Sequence, residues 1–307
     1  MKSRRVPQVT TLESLVDLYR DSPAFHQLSP NWKAYVVHVI DTVILPELGS
    51  KKVDAIRRGQ LIQLLELTIA RGETLANHTK RILTRIFNWA YDREFIENNP
   101  AMRLPFPART VKRDRVLTDD EIASVWQACE DEGTVTHRLF QMVLATAQRP
   151  GELKLAKWED IDGDFLILRK TKNGSTHRAY LGVEGLRIVE KLRGVGHVPR
   201  HSREYLFPAV RVDSEVGFLS NYNTAWGRMR RRLGLEDATC YDLRRTAATK
   251  VAQQGGSMDV VARILNHTPQ NVTSIYQRYG YEKEVVIAVN AWHSRLQQLT
   301  SLPAVGG

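Results

Sequence analysis

The sequence predicts a mainly α-helical chain of two domains, the second carrying one small antiparallel sheet. Three observations predict it. Apolar residues recur at helical spacing through most of the first hundred positions, and a proline-rich basic stretch then interrupts the pattern. Beyond that stretch, two short β-forming runs flank an Asn-Gly pair. At 307 residues the chain is long enough for about two domains and a substantial core. With 42% hydrophobic and 25% charged residues its composition is that of a globular protein, which argues against a disordered or membrane class.

In the first domain the spacing predicts helices over Thr11–Arg20, about Asn31–Leu45, Gln60–Ala70, and Thr74 to about Tyr91. Leu75, Ile82, Leu83, Ile86 and Phe87 form one apolar stripe, with Lys80, Arg81 and Arg85 beside it. Those cations are candidates to face a DNA backbone; for any one of them a solvated surface is the simpler reading. The boundary opens at Asn98-Asn99-Pro100 and passes Pro105 and Pro107, and no helix continues through such prolines. Arg109, Lys112, Arg113 and Arg115 make the same stretch basic, as suits a semi-rigid linker lying along phosphate. The expected division is a domain over 1–104, a linker over 105–113 and a second domain over 114–307.

Thr118-Asp119-Asp120-Glu121 has the capping-box pattern and opens the second domain. Helices are expected over Arg138–Leu155, Gly185–Leu192, Asn221–Leu233, Arg244–Gln254 and Asp259–Leu265. Phe165–Arg169 and His177–Leu181 should pair as a hairpin around Asn173-Gly174. A last apolar stripe, Val285, Val286, Ala288, Val289, Trp292, Leu296 and Leu299, predicts a C-terminal helix that packs either on its own domain or on another subunit.

Lys and Arg number 44 against 34 Asp and Glu, a net charge of +10 that favours a polyanionic partner through phosphate neutralisation. Cys129 and Cys240 are too few and too far apart for a disulfide framework or a structural zinc site, and both read as small buried residues. His197 and His201 have helical spacing, but Pro199 lies between them and they read as a loop. The N-terminus lacks the apolar run of a secretion signal, and no stretch approaches a membrane span. A cytoplasmic, nucleoid-associated protein without membrane contact is expected.

Four separated motifs carry chemistry. Ala145-Thr146-Ala147-Gln148-Arg149-Pro150-Gly151-Glu152-Leu153 sets an arginine three residues before an acid. Thr171-Lys172-Asn173-Gly174 places a lysine at a hairpin. Tyr241-Asp242-Leu243-Arg244-Arg245 supplies a second arginine, and Leu265-Asn266-His267 is followed by Ile275-Tyr276, with His267 and Tyr276 nine residues apart. Each piece alone is common; Arg149 and Glu152, for instance, could be a helix ion pair worth about 0.3 kcal/mol. In this order and spacing the four resemble the tyrosine recombinase, or phage integrase, family. The resemblance covers the second domain well and the first loosely, through its helical pattern and its Asn-Asn-Pro ending.

That resemblance implies a SAM-like helical core-binding domain followed by an α+β catalytic domain of the tyrosine recombinase type, in a compact form without an arm-binding domain. It implies site-specific cutting and rejoining of double-stranded DNA through a 3′-phosphotyrosine at Tyr276. Arg149 and Arg244 would clamp the phosphate as bidentate, permanently charged donors. Lys172 would protonate the departing 5′ oxygen, with Lys170 as its neighbouring alternative, and His267 would donate to the phosphate. Glu152 would support the clamp. Fixed donors can stabilise the transition state without a metal, and no metal or other cofactor is expected. Arg113, Arg115, Arg228, Arg231 and Arg245 are further candidates for DNA contact. A homotetramer on two recombination sites, acting through a Holliday junction, is the implied assembly. Accessory directionality or architectural proteins are admitted as partners, and the C-terminal helix is expected to reach a neighbouring subunit.

Three positions depart from the family pattern. Tyr241 stands where histidine is usual, and an unperturbed phenol is a poor proton acceptor at neutral pH. Ala147 and Asn266 stand where glycine is common. Two other readings therefore stay open: a DNA-binding regulator that keeps the fold without the reaction, and a type IB topoisomerase-like enzyme.

Overall fold

The computed structural model describes residues 10–109, 113–196, 198–211, 213–267 and 281–301. The chain divides into two compact units, Met1–Arg113 and Asp114–Gly307.

The first unit is helical: α1 (Leu12–Arg20), α2 (Pro23–His26), α3 (Pro30–Val39), α4 (Leu45–Leu48), α5 (Arg58–Ile69) and α6 (Glu73–Tyr91). Thr11 caps α1 reciprocally with Ser14, and Leu12, Leu15, Val16 and Tyr19 are buried along one face of the helix. They pack in one core with Ile82, Leu83, Ile86 and Phe87 of α6, four members of the expected stripe, and with Ala90, while Leu75 is partly buried against it. Between α3 and α4 the helix widens into a π-turn over Ile40–Ile44. Pro46 accounts for it: its ring crowds the carbonyl four residues earlier, on Thr42, and it has no N–H to donate. The Thr42 carbonyl instead accepts Arg71 Nη1 at 3.1 Å.

The second unit contains α7 (Asp119–Glu132), α8 (Val135–Thr146), α9 (Pro150–Leu153), α10 (Gly182–Arg193), α11 (Tyr222–Arg232), α12 (Cys240–Gln253), α13 (Met258–Ile264) and α14 (Glu282–Ser301). The capping box on α7 forms as the sequence indicates: Glu121 N donates to Thr118 Oγ1 at 3.2 Å, and Thr118 N donates to Glu121 Oε2 at 2.8 Å. A three-stranded antiparallel sheet has the order β1 (Ile161–Asp162), β2 (Phe165–Leu168), β3 (His177–Tyr180). Leu168 pairs with His177 across the hairpin, so residues 169–176 form a longer loop than the two-residue turn that Asn-Gly often makes.

α8 is the spine of this unit, buried along nearly its whole length. It does not run to Leu155 as periodicity suggested. It stops at Thr146, because Ala147 turns left-handed at φ 56° and Pro150 keeps Arg149 extended. The apolar stripe of α14 is used within its own unit: Trp292 is fully buried and donates from Nε1 to the Leu144 carbonyl at 2.9 Å. His293 Nε2 lies 3.1 Å from the Ala145 carbonyl. At Gly182, with φ 57°, an added Cβ would lie 2.7 Å from that imidazole, so glycine is required there for both backbone and space. Packing on its own domain, one of the two arrangements the sequence left open for this stripe, is present in the fold. Cys129 and Cys240 are buried, as expected, and burial pushes both thiols far up. Among the described residues no helix is long and apolar enough to cross a membrane.

Candidate active site

The break after α8 builds one wall of the site. Ala147 reverses the chain and Pro150 starts α9, leaving Arg149 extended between them. Its side chain is 12% exposed, and Nη1 lies 3.1 Å from Glu152 Oε1, itself on a 7% exposed side chain. The ion pair is thus a desolvated one at a chain break, unlike the solvated helix pair that the spacing alone allows. The same Glu152 oxygen accepts the backbone N–H of Lys172 at 2.9 Å. The hairpin loop is thereby tied to the arginine wall, while the Lys172 side chain stays exposed.

α12 supplies the second arginine. Thr239 and Asp242 cap its start, with Thr239 N donating to Asp242 Oδ2 at 2.8 Å. Arg244 is 2% exposed; its Nη1 donates to the Ala147 carbonyl at 2.8 Å and its Nη2 to the Leu265 carbonyl at 2.7 Å. One side chain therefore joins the break after α8 to the end of α13. Burial pushes Arg244 down to about 10, with the like charge of Arg149 as the second cause. Two guanidiniums thus share a desolvated site with one carboxylate, a surplus of positive charge that suits an anion such as a phosphodiester.

His267 follows α13, after Asn266 turns left-handed at φ 48°. Its pKa is lowered by burial and then by the charges of Arg244 and Arg149, which favours the neutral imidazole. Tyr241 lies one helical turn before Arg244, 48% exposed, with its ring centre 6.0 Å from the Arg244 guanidinium carbon. Arg149, Glu152, Lys172, Tyr241, Arg244 and His267 are thus drawn together from four separated segments. Tyr276 and Tyr279 lie outside the described residues. Tyr281 is partly buried against the core, with Arg263 5.6 Å from its ring centre.

Three polar residues that were not among the expected site residues also belong to this site. Gln148 is buried, and its Nε2 donates to the carbonyls of Thr146 at 2.9 Å and Ile264 at 2.8 Å. Asn173 Nδ2 donates to the Asn266 carbonyl at 2.6 Å. His177 at the start of β3 is largely buried, and burial brings its pKa down to about 4, opposed by a backbone interaction with Ile264.

The other candidate cations are dispersed. Arg115 pairs with Glu121 at 2.5 Å and Asp237 at 2.8 Å, and Arg245 pairs with Asp242 and donates from Nη1 to the Arg115 carbonyl at 3.3 Å, so these two residues hold the start of the second unit and α12 together. Arg231 Nε donates to the Gly227 carbonyl at 3.0 Å, and Arg228 and Arg113 are exposed. His201 lies in a short 3-10 turn, Arg200–Ser202, and His197 falls outside the described residues. In the first unit Lys80, Arg81 and Arg85 line one groove of about 610 Å³ with Trp32, Trp89 and Arg93. Lys80 and Arg81 also sit 4.2 and 5.6 Å from the centre of the exposed Phe106 ring.

A paired-arginine site on a helical unit with a small sheet is the arrangement expected of an integrase catalytic domain. A model described as the phage integrase family matches residues 115–283, and one described as the phage integrase central domain matches residues 20–105. The first match alone spans more than half of the chain, and the chain belongs to the phage integrase family. It is similar to the shufflon-specific DNA recombinase of Escherichia coli, 24% identical over 287 residues that cover 90% of this chain and 71% of the relative. Its fold matches that of a lambda integrase (75–356) dimer bound to a COC′ core site, with a TM-score of 0.71 and 21% identity over 84% of this chain and 96% of that one. It also matches a lambda integrase tetramer bound to a Holliday junction, with a TM-score of 0.70 and 20% identity over 85% of this chain and 79% of that one.

Proposed function

We propose that this chain is a site-specific DNA recombinase that cuts and rejoins strands through a covalent 3′-phosphotyrosine on Tyr276. The observation that carries the reading is the desolvated pair Arg149 and Arg244, held by Glu152 and by backbone carbonyls, in a member of the phage integrase family. The guanidiniums bind the non-bridging oxygens and stabilise the charge that grows on them at the pentavalent transition state. The Tyr276 phenolic oxygen forms a bond to phosphorus as the bond from phosphorus to the 5′ oxygen breaks. Lys172 gives that oxygen its proton, and religation runs the same steps in reverse with a different strand.

The Tyr276 proton needs an acceptor. Tyr241 is a weak one, whereas a neutral imidazole has a lone pair on one nitrogen and an N–H on the other. We assign both tasks to His267: donating to the phosphate and taking the phenol proton. Residues 1–104, the larger part of the first unit, are assigned to core-site binding, with Lys80, Arg81 and Arg85 tracking the backbone and residues 105–113 as linker. Four protomers on two sites are the assembly that pairwise strand exchange requires. Chromosomal or element DNA places the protein in the cytoplasm, at the nucleoid.

The test is covalent trapping. A duplex selected from a random pool by the purified protein is nicked near the bound site, so that cleavage releases a short fragment and cannot reverse. A denaturant-resistant protein–DNA adduct is expected from the native chain and none from Tyr276→Phe. Tyr241 favours a second reading, a DNA-binding regulator, which predicts tight binding to the same duplex without an adduct.

A further inference from the structure

Three consecutive carbonyls at the end of α13 are each taken by a side chain from elsewhere in the second unit. Ile264 accepts from Gln148, Leu265 from Arg244 and Asn266 from Asn173. Carbonyls in the last turn of a helix have no intrahelical donor, so each capture satisfies a group that otherwise depends on water. The donors come from the break after α8, from α12 and from the hairpin loop. His267 follows directly, so its backbone position is fixed by all three.

The hairpin donor is the informative one. Lys172 N is bonded to Glu152, and the next residue, Asn173, reaches Asn266 at 2.6 Å, so two adjacent loop residues are tethered to two different segments of the site. The Asn-Gly turn does not itself require this asparagine. Gly174 has the positive φ, 77°, whereas Asn173 is absent from the left-handed residues, so the backbone there accepts other side chains. What asparagine adds is an amide donor of the right length.

We propose that Asn173 is a positioning residue that registers the Lys172 hairpin against the turn carrying His267. The proposal deepens the assignment of Lys172 as general acid and rests on that reading. The Lys172 side chain is exposed and flexible, so the place from which its ammonium reaches the 5′ oxygen is set by its backbone anchors. Without the Asn173 anchor the loop keeps its strand pairing, but the ammonium loses registry with the phosphate.

The experiment uses the full chain and two versions of the selected duplex, one with the ordinary scissile phosphate and one with sulfur replacing the bridging 5′ oxygen. A thiolate leaves without a proton, so a defect confined to proton donation disappears on the sulfur duplex. Asn173→Ala and the isosteric Asn173→Asp, which lacks the N–H, are expected to slow single-turnover cleavage of the oxygen duplex by about 10-fold to 100-fold. Both should return to within about threefold of the native rate on sulfur, as should Lys172→Ala. Equal slowing on both duplexes, or native rates on both, overturns the proposal. A Lys172→Ala defect that persists on sulfur removes the general-acid assignment, and with it this inference. A native chain that cleaves neither duplex removes the recombinase reading as a whole.

Discussion

Arg149 Nη1 lies 3.1 Å from Glu152 Oε1, with both side chains nearly closed off from solvent. A carboxylate in that position does two things at once: it balances one of two neighbouring guanidiniums and holds the backbone of the Lys172 loop. Removing one partner of a buried pair leaves the other charged and desolvated. Glu152→Ala is expected to destabilise the second unit by about 3 kcal/mol in urea unfolding. Glu152→Gln keeps an acceptor for Lys172 N and should cost less. If Glu152→Ala leaves the unfolding midpoint unchanged, the pair has no structural role.

The two arginines should separate by readout. Arg149→Ala removes a phosphate donor and is expected to slow adduct formation by about 10²-fold to 10³-fold, while binding of the selected duplex persists. Arg244→Ala should reduce cleavage similarly and also lower stability, because its guanidinium holds the carbonyls of Ala147 and Leu265. Native-like unfolding of Arg244→Ala would show that those two bonds are not structural.

His177 makes a pH prediction. Burial holds its folded pKa at about 4, below the ordinary 6.5, so the unfolded chain takes up a proton before the folded one does. Unfolding free energy therefore falls as pH drops from 6.5 towards 4, with this one group contributing about 3 kcal/mol at most. His137, His267 and His293 are shifted in the same direction and add to the slope. His177→Gln should flatten the acid limb by about one proton's worth, as read from urea unfolding at several pH values. An unchanged slope would mean that His177 titrates alike in both states.

The groove in the first unit predicts a salt effect. Arg81 and Arg85 lie on α6 and line the groove together with Lys80. Arg81→Ala is expected to weaken binding of selected and random duplexes alike, and to lower the slope of log affinity against log salt by about one. A loss confined to the selected duplex would make Arg81 a base-reading residue instead.

Much of this architecture was legible in the sequence, because helical periodicity, proline breaks and capping patterns are local signals. The four motifs were legible through their order. The structure adds what local signals cannot carry. Gln148 and Ile264 are 116 residues apart and Asn173 and Asn266 are 93 apart, so neither bond leaves a mark on its own neighbourhood. The stop of α8 at Thr146 was obscured because the apolar pattern continues past it, and the two positions where glycine is usual turn out to be left-handed. That gives Ala147 a test of its own. Ala147→Gly trades relief of backbone strain against one buried methyl and should leave stability within about 0.5 kcal/mol. Ala147→Val should cost at least about 2 kcal/mol, because a β-branched residue fits that backbone poorly.

The central claim is that the nucleophile is Tyr276, served by the Arg149 and Arg244 clamp. Its most direct measurement is to digest the trapped protein–DNA adduct with protease and nuclease and locate the modified peptide by mass spectrometry. The account predicts a single phosphonucleotide on Tyr276, joined through the 3′ phosphate. A modification on Tyr241, Tyr279 or Tyr281, or a linkage to the 5′ phosphate, would contradict it.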